Sequence, residues 1–338
     1  MGTSEGKLAY LCFSSCAQSS HFPARQFCTP DHLALFLKLL NSPSIDVIDA
    51  SLGICKSVGY AIPDALQYFI ENGIIEKMHF LNNSIQYASM TALLSSHIHP
   101  KIEQVLNLIP IVLSSDETDI LNTGFLSIRY INNNCPQLQP RTSTILLNHS
   151  KHFFSLSDIK FEEIAKQYFS LLAEIPLPNE FIRPILQKML CQEGTKVILY
   201  GNLIFRKQKQ NWLGIADDFL TGYLIGLVET DRYDVQKSCI MTIMLYYHLD
   251  TFDARVILAV IKFLDDSLLC SVCLEFLTKN LEYQFKNPEF LKLLENALPM
   301  IEDLVVSEDD NVSNSSEKFL DMYSKALQQL STSNENQD

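Results

Sequence analysis

Apolar positions along this chain recur in a helical rhythm rather than an alternating one. From Val47, Ser51 and Cys55 follow at four-residue steps, which puts all three on one face of a helix. The same template, apolar then small then apolar, starts again at Ile85, Ile120, Phe161, Val197, Val235, Leu269 and Val312. Its middle position holds Ser51, Ser89, Gly124, Ala165, Gly201, Cys239, Cys273 and Ser316. Its third position holds Cys55, Leu93, Ile128, Phe169, Phe205, Ile243, Leu277 and Leu320. Successive starts lie 34 to 43 residues apart, the span of a repeat built from two or three helices. A small middle residue lets two helix axes approach closely, and the apolar residue one turn later fills the core between neighbouring repeats.

The stretch before each window repeats as well, as an apolar helix followed by a polar elbow. Residues 33–40 precede Asn-Ser-Pro-Ser, residues 73–81 precede Asn-Asn-Ser, and residues 106–113 precede Ser-Ser-Asp-Glu-Thr-Asp. Farther along, residues 219–228 lead into 229–234, and 298–306 into 307–311. Such clusters end one helix and offer side-chain oxygens to the first amides of the next. Leu8, Cys12 and Cys16 also fit the template, so the chain is expected to open partway through a repeat.

Two segments, LALFLKLLNSPSIDVIDASLGICKSV and FIENGIIEKMHFLNNSIQYASMTALL, resemble successive armadillo repeats, with Gly73 where that family places its turn glycine. The resemblance implies an all-α, right-handed α-solenoid of about eight armadillo/HEAT-like repeats, occupying residues 1–330 as a single domain. The repeats match best over 31–131, are irregular over 140–210, where Pro176, Pro178 and Pro184 fall, and continue over 212–325. Residues 331–338 are polar and without periodicity, and are expected to form a disordered tail.

Composition sharpens this picture. Hydrophobic residues make up 47% of the 338, enough for a substantial core, while 11 Gly and 13 Pro are few for a fold of many tight turns. The formal net charge of −13 disfavours nucleic acid and anionic membranes as partners. No uncharged apolar stretch reaches the roughly 18 residues of a membrane span, and the apolar run 8–13 is shorter than a signal-peptide core. Nine irregularly spaced cysteines fit a reducing compartment. The expected location is therefore the cytoplasm, with the nucleus as the alternative.

Candidate chemistry is sparse. No nucleophile elbow, phosphate-cradling glycine loop or His-Glu-x-x-His helix occurs, so no catalytic residue is assigned and no enzyme is expected. Cys270 and Cys273 have metal-ligand spacing without a second pair, and Cys273 fills the small crossing position, so core packing is favoured and no metal or cofactor is assigned. His97 and His99 follow an apolar helix, where imidazoles cap carbonyls.

The one dense basic run, Arg206, Lys207 and Lys209 with the sole Trp, Trp212, close behind, reads either as a solvated helix end or as a partner contact. In armadillo proteins the residue ten past each window start faces the concave groove. That offset carries Tyr130, Lys207 and Lys279 here, and the offset of six carries Gln167 and Glu275. The resemblance thus implies a non-catalytic adaptor that binds an extended or helical peptide of a protein partner, with these eight residues as the candidate groove. An importin-α-like transport adaptor for basic cargo is the runner-up, although its Trp and Asn ladder is absent from these offsets. An armadillo-type chaperone cofactor is a third reading.

Overall fold

The computed structural model describes residues 29–81, 83–190, 195–212, 217–230 and 232–335, with the side chains of 217–219 and 331–335 excepted. Leu8, Cys12 and Cys16, and the run 8–13, lie outside these residues. Among the described residues every regular element is a helix. None is long and apolar enough to cross a membrane. The chain divides into two compact units, Met1–Ile175 and Pro176–Asp338.

In unit 1 the order is α1 (Pro30–Leu39), α2 (Ile45–Ala61), α3 (Pro63–Glu71), α4 (Ile74–Met78), α5 (Ile85–Ser95), α6 (Ile102–Val105) and α7 (Ile109–Leu113). Then follow α8 (Thr118–Asn134), α9 (Gln139–Asn148), α10 (Ser150–Ser155) and α11 (Asp158–Leu172). Short helices alternate with the longer α2, α5, α8 and α11, and each longer helix packs on the next. Gly73, between α3 and α4, has φ 85°, the single left-handed residue described. A residue with a Cβ is strained there, which is why glycine makes the turn that the armadillo resemblance implied. At the elbow before α5, Ser84 Oγ accepts the Tyr87 amide, and its hydroxyl also donates to Asp49. Ties of this kind join neighbouring repeats: Asn83 donates to Ile111 O at 2.9 Å and Asn134 to Ser96 O at 3.0 Å.

Three of the four windows of unit 1 face the core as the pattern predicts. Val47, Ser51 and Cys55 are buried on α2, Ile120, Gly124 and Ile128 on α8, and Phe161, Ala165 and Phe169 on α11. On α5 the register is displaced by two residues. Ile85 is 41% exposed, whereas Tyr87, Thr91 and Ser95 are fully buried. Thr91 and Ser95 can occupy the interior because their hydroxyls bond to carbonyls one turn back, Tyr87 O at 3.0 Å and Thr91 O at 2.8 Å. Residues 139–172 also form a regular set of three helices, α9 to α11, so the irregularity expected over 140–210 is concentrated later. A buried aromatic group fills this part of the core, with Phe153 4.9 Å from Tyr168 and 5.2 Å from Phe125 between ring centroids.

Unit 2 begins irregularly, with Pro176, Pro178 and a short 3-10 turn, Asn179–Phe181, in place of a first helix. It continues with α12 (Ile182–Leu190), α13 (Thr195–Lys207), α14 (Lys209–Trp212), α15 (Asp217–Val228) and α16 (Tyr233–Tyr246). The last four are α17 (Ala254–Ile261), α18 (Cys270–Gln284), α19 (Pro288–Leu304) and α20 (Asp310–Glu335). Pro184 is accommodated in the first turn of α12, where its missing N–H has no intrahelical partner to lose. Helix α13 packs on α16, and α18 on α20. Window positions are again interior, including Gly201, Cys239, Cys273 and Ser316. Leu320 is half-buried, and its neighbour Phe319 is the fully enclosed residue. Helix α20 runs through Glu335 into the stretch read as a tail, and residues 336–338 lie outside the described ones.

The small middle residue has a clear steric cause. A Cβ on Gly124 would stand 2.7 Å from Leu113 and 3.0 Å from Val112, both on α7. On Gly201 it would collide with the Met189 side chain of α12. In both units the close crossing lies between the long helix and the one just before it in the same repeat.

Candidate functional site

The face opposite each buried window is where a partner could be met, and α18 shows how the sequence builds it. Cys273 and Leu277 point into the core with no exposure, which turns Val272, Glu275 and Lys279 outward. Glu275 and Lys279 stand one turn apart, the spacing of an intrahelical ion pair, yet neither makes an ion pair or hydrogen bond with a described residue. At the end of α13, Phe205 is fully buried and Lys207 is exposed, likewise without a partner. Lys209 is half-buried on α14. In unit 1, Tyr130 on α8 and Gln167 on α11 are half-buried, beside the exposed Leu126.

Arg206 occupies a different setting from its neighbour. It is half-buried, and its Nη1 lies 3.8 Å from Met241 Sδ on α16. Its Nε is buried with no acceptor. Burial holds the guanidinium below its ordinary pKa. One turn earlier, the fully buried Asn202 donates from Nδ2 to Cys239 Sγ at 3.4 Å. Cys239 enters the sequence reading as a packing residue of the window, and neither it nor Asn202 and Met241 is assigned there to the site. The available signal was Asn202 itself, a polar residue directly after the small Gly201 and therefore on the inward side of its helix.

Trp212 leaves the candidate set. Its side chain is fully enclosed, its Nε1 donates to Leu177 O at 3.3 Å, and its ring meets Phe205 edge-on at 5.3 Å. The buried Gln208 supports the same segment, with Oε1 accepting the Leu177 amide at 3.2 Å and Asn211 Nδ2 at 2.8 Å. Phe205 and Trp212 are seven residues apart, two helical turns, so the spacing itself points both rings to one side. Proximity in sequence to the basic run had obscured this.

The remaining motifs are structural. His97 Nδ1 lies 3.1 Å from Leu93 O and His99 Nε2 3.2 Å from Leu94 O, so both imidazoles cap the end of α5. Burial lowers the His99 pKa. Cys270 and Cys273 are packed, reduced thiols, pushed up by burial to about 11 and about 12. Among the described residues no three His, Cys, Asp or Glu side chains come together as a metal site would require.

No family model and no curated protein matches this chain. Among solved structures it is similar to an engineered protein from a structural genomics consortium, with a TM-score of 0.52, 14% identity and 96% of both chains covered. A designed armadillo repeat protein aligns at a TM-score of 0.34 and 14% identity over 86% of this chain and 99% of that one. The karyopherin Kap121p, in a crystal structure bound to the SUMO protease Ulp1p, aligns at 0.37 and 13% identity; 96% of this chain covers 38% of that one. The first of these likenesses bears on fold alone. Together with the alternation of short and long helices, the left-handed Gly73 turn and the recurrent buried windows, it supports an all-α fold of repeated helical units in each of the two parts of the chain.

Proposed function

We propose that the protein is a non-catalytic interaction scaffold that binds an extended or helical peptide of a protein partner along the outward faces of its long helices. One observation carries this reading: Lys207, Glu275 and Lys279 are exposed, with no ion-pair partner among the described residues, on helices whose opposite sides are committed to the core. A surface charge that makes no intramolecular pair contributes little to folding and remains free to select a partner and its register. Tyr130 and Gln167 extend the same role to unit 1, where a half-buried aromatic supplies contact area at small entropic cost.

Selection of a displayed library of random twelve-residue peptides against the full chain tests this. Peptides enriched on the wild type are expected to bind a Lys207→Glu, Lys279→Glu variant at least ten-fold more weakly, with an unchanged melting temperature. Undiminished binding would remove these lysines from the site. The net charge of −13 favours one second reading, capture of a basic segment as in a transport adaptor. It is separated by Glu275→Lys, which would then weaken binding more than the lysine reversals do.

A further inference from the structure

Arg206 is held in unit 2 in a way that folding does not account for. It is half-buried, no carboxylate among the described residues pairs with it, and its guanidinium lies against the thioether of Met241. Two polar atoms on this α13–α16 contact, Arg206 Nε and Asn202 Oδ1, are buried with no hydrogen-bond partner among the described residues. Burial depresses the guanidinium pKa, and the one influence opposing it is the neighbouring Cys239 thiol, so no anion compensates the charge. Some cations of unit 1 meet acceptors, as Lys101 meets Glu76 at 2.7 Å and Arg141 meets Glu103 at 3.0 Å, whereas the half-buried Lys56, like Arg206, has no partner among the described residues.

A cation taken partly out of water without a counter-ion opposes folding, and an aliphatic residue of similar length would pack there better. The charge acquires a purpose if its anion arrives from outside. A guanidinium fork pairs with a carboxylate through two parallel N–H donors, and the apolar flank of Met241 lowers the local dielectric, which strengthens the pair. The charge distribution favours the same occupant, because the run 206–209 is the one dense basic cluster in an acidic chain, and Lys207 and Lys209 make no pair with a described residue.

We propose that Arg206, lodged between α13 and α16 beside Met241 and Asn202, is an anchor for an Asp or Glu carboxylate on an acidic segment of a protein partner, kept at a cost to stability. Lys207 and Lys209 add a weaker, salt-sensitive attraction. This deepens the scaffold reading by naming the chemistry of the peptide that one part of the face receives.

The test measures binding of fluorescein-labelled octaglutamate to the full chain by anisotropy, with octaglutamine as the neutral control. The wild type is expected to bind the first and not the second. Arg206→Met should weaken octaglutamate at least ten-fold while its melting temperature stays level or rises, because an uncompensated charge is removed. Arg206→Lys should lose several-fold, since an ammonium lacks the fork. Lys207→Gln should lose three-fold or less, and that loss should vanish in high salt. Equal binding by wild type and Arg206→Met, no wild-type preference for octaglutamate, or a melting temperature of Arg206→Met well below wild type would each overturn the proposal. If the displayed peptides depend on Lys207 and Lys279 while octaglutamate ignores Arg206, the scaffold reading stands and the anchor falls. If octaglutamate needs Arg206 and no displayed peptide depends on the lysines, the anchor stands and the broader groove falls.

Discussion

The two units stack their repeats with different chemistry. In unit 1, cations bridge from one repeat to the next. Lys77 donates to Asn41 at 3.2 Å, Lys101 to Glu76 at 2.7 Å and Ile70 O at 3.1 Å, Arg141 to Glu103 at 3.0 Å, and Lys160 to Asp116 O at 2.8 Å. In unit 2, neutral donors make the corresponding ties, and one of them, Tyr233, donates to the Asp266 carboxylate at 2.5 Å. Tyr246 donates to Phe205 O at 2.7 Å, Gln284 Nε2 to Leu249 O at 2.9 Å, and the Ser271 and Ser315 hydroxyls lie 3.2 Å apart. Its ion pairs include two local ones, Arg255 with Asp253 and Lys325 with Asp321, while Arg206, Lys207 and Lys279 pair with no carboxylate among the described residues. The lesson is that similar repeats can be held together with or without cations at their ties.

Core deletions should give the largest effects and treat the two units alike. Trp212→Ala in unit 2 and Phe153→Ala in unit 1 each remove a fully buried ring, and each is expected to cost about 3–5 kcal/mol in urea unfolding followed by circular dichroism. A loss below about 1 kcal/mol at Trp212 would return that residue to the surface and to the candidate groove.

A smaller effect should distinguish the two close crossings. Gly124→Val drives a side chain into both Leu113 and Val112, and overpacking of this kind costs about 1–3 kcal/mol. At Gly201 the obstacle is the single unbranched side chain of Met189, which can swing aside, so Gly201→Val should cost less. Equal melting temperatures for the two variants would show that the small residue reflects something other than helix approach.

How far the fold could be read from the sequence depended on how directly each residue's chemistry determined its place. Gly73 was legible because one backbone conformation demands it, and the windows at Val47, Ile120 and Phe161 because a helix repeats its faces faithfully. The α5 register slipped because Thr91 and Ser95 look polar by type, yet satisfy their hydroxyls on their own helix and bury readily. Candidate site residues were harder. Exposure of Lys207, Glu275 and Lys279 follows from the same periodicity that buries Phe205, Cys273 and Leu277. Trp212 was assigned by its basic neighbours rather than by its two-turn spacing from Phe205. The setting of Arg206 depends on which side chains of α16 lie opposite α13, a pairing between distant segments that no local pattern encodes.

Matched charge deletions at Lys101 and Lys279, followed by urea unfolding at pH 7 and again near pH 3, test the contrast between the units most directly. Glu76 is held below its ordinary pKa, chiefly by its hydrogen bond from Lys101. Its stabilising contribution is therefore complete above the unfolded carboxyl value of about 4.3 and is lost as the pH falls through the lower folded value. Both partners are partly exposed, so the effect is at most about 1 kcal/mol. The account predicts that Lys101→Gln lowers the urea midpoint at pH 7, that this difference shrinks near pH 3, and that Lys279→Gln matches wild type at both. A midpoint lowered by Lys279→Gln and unmoved by Lys101→Gln would contradict it.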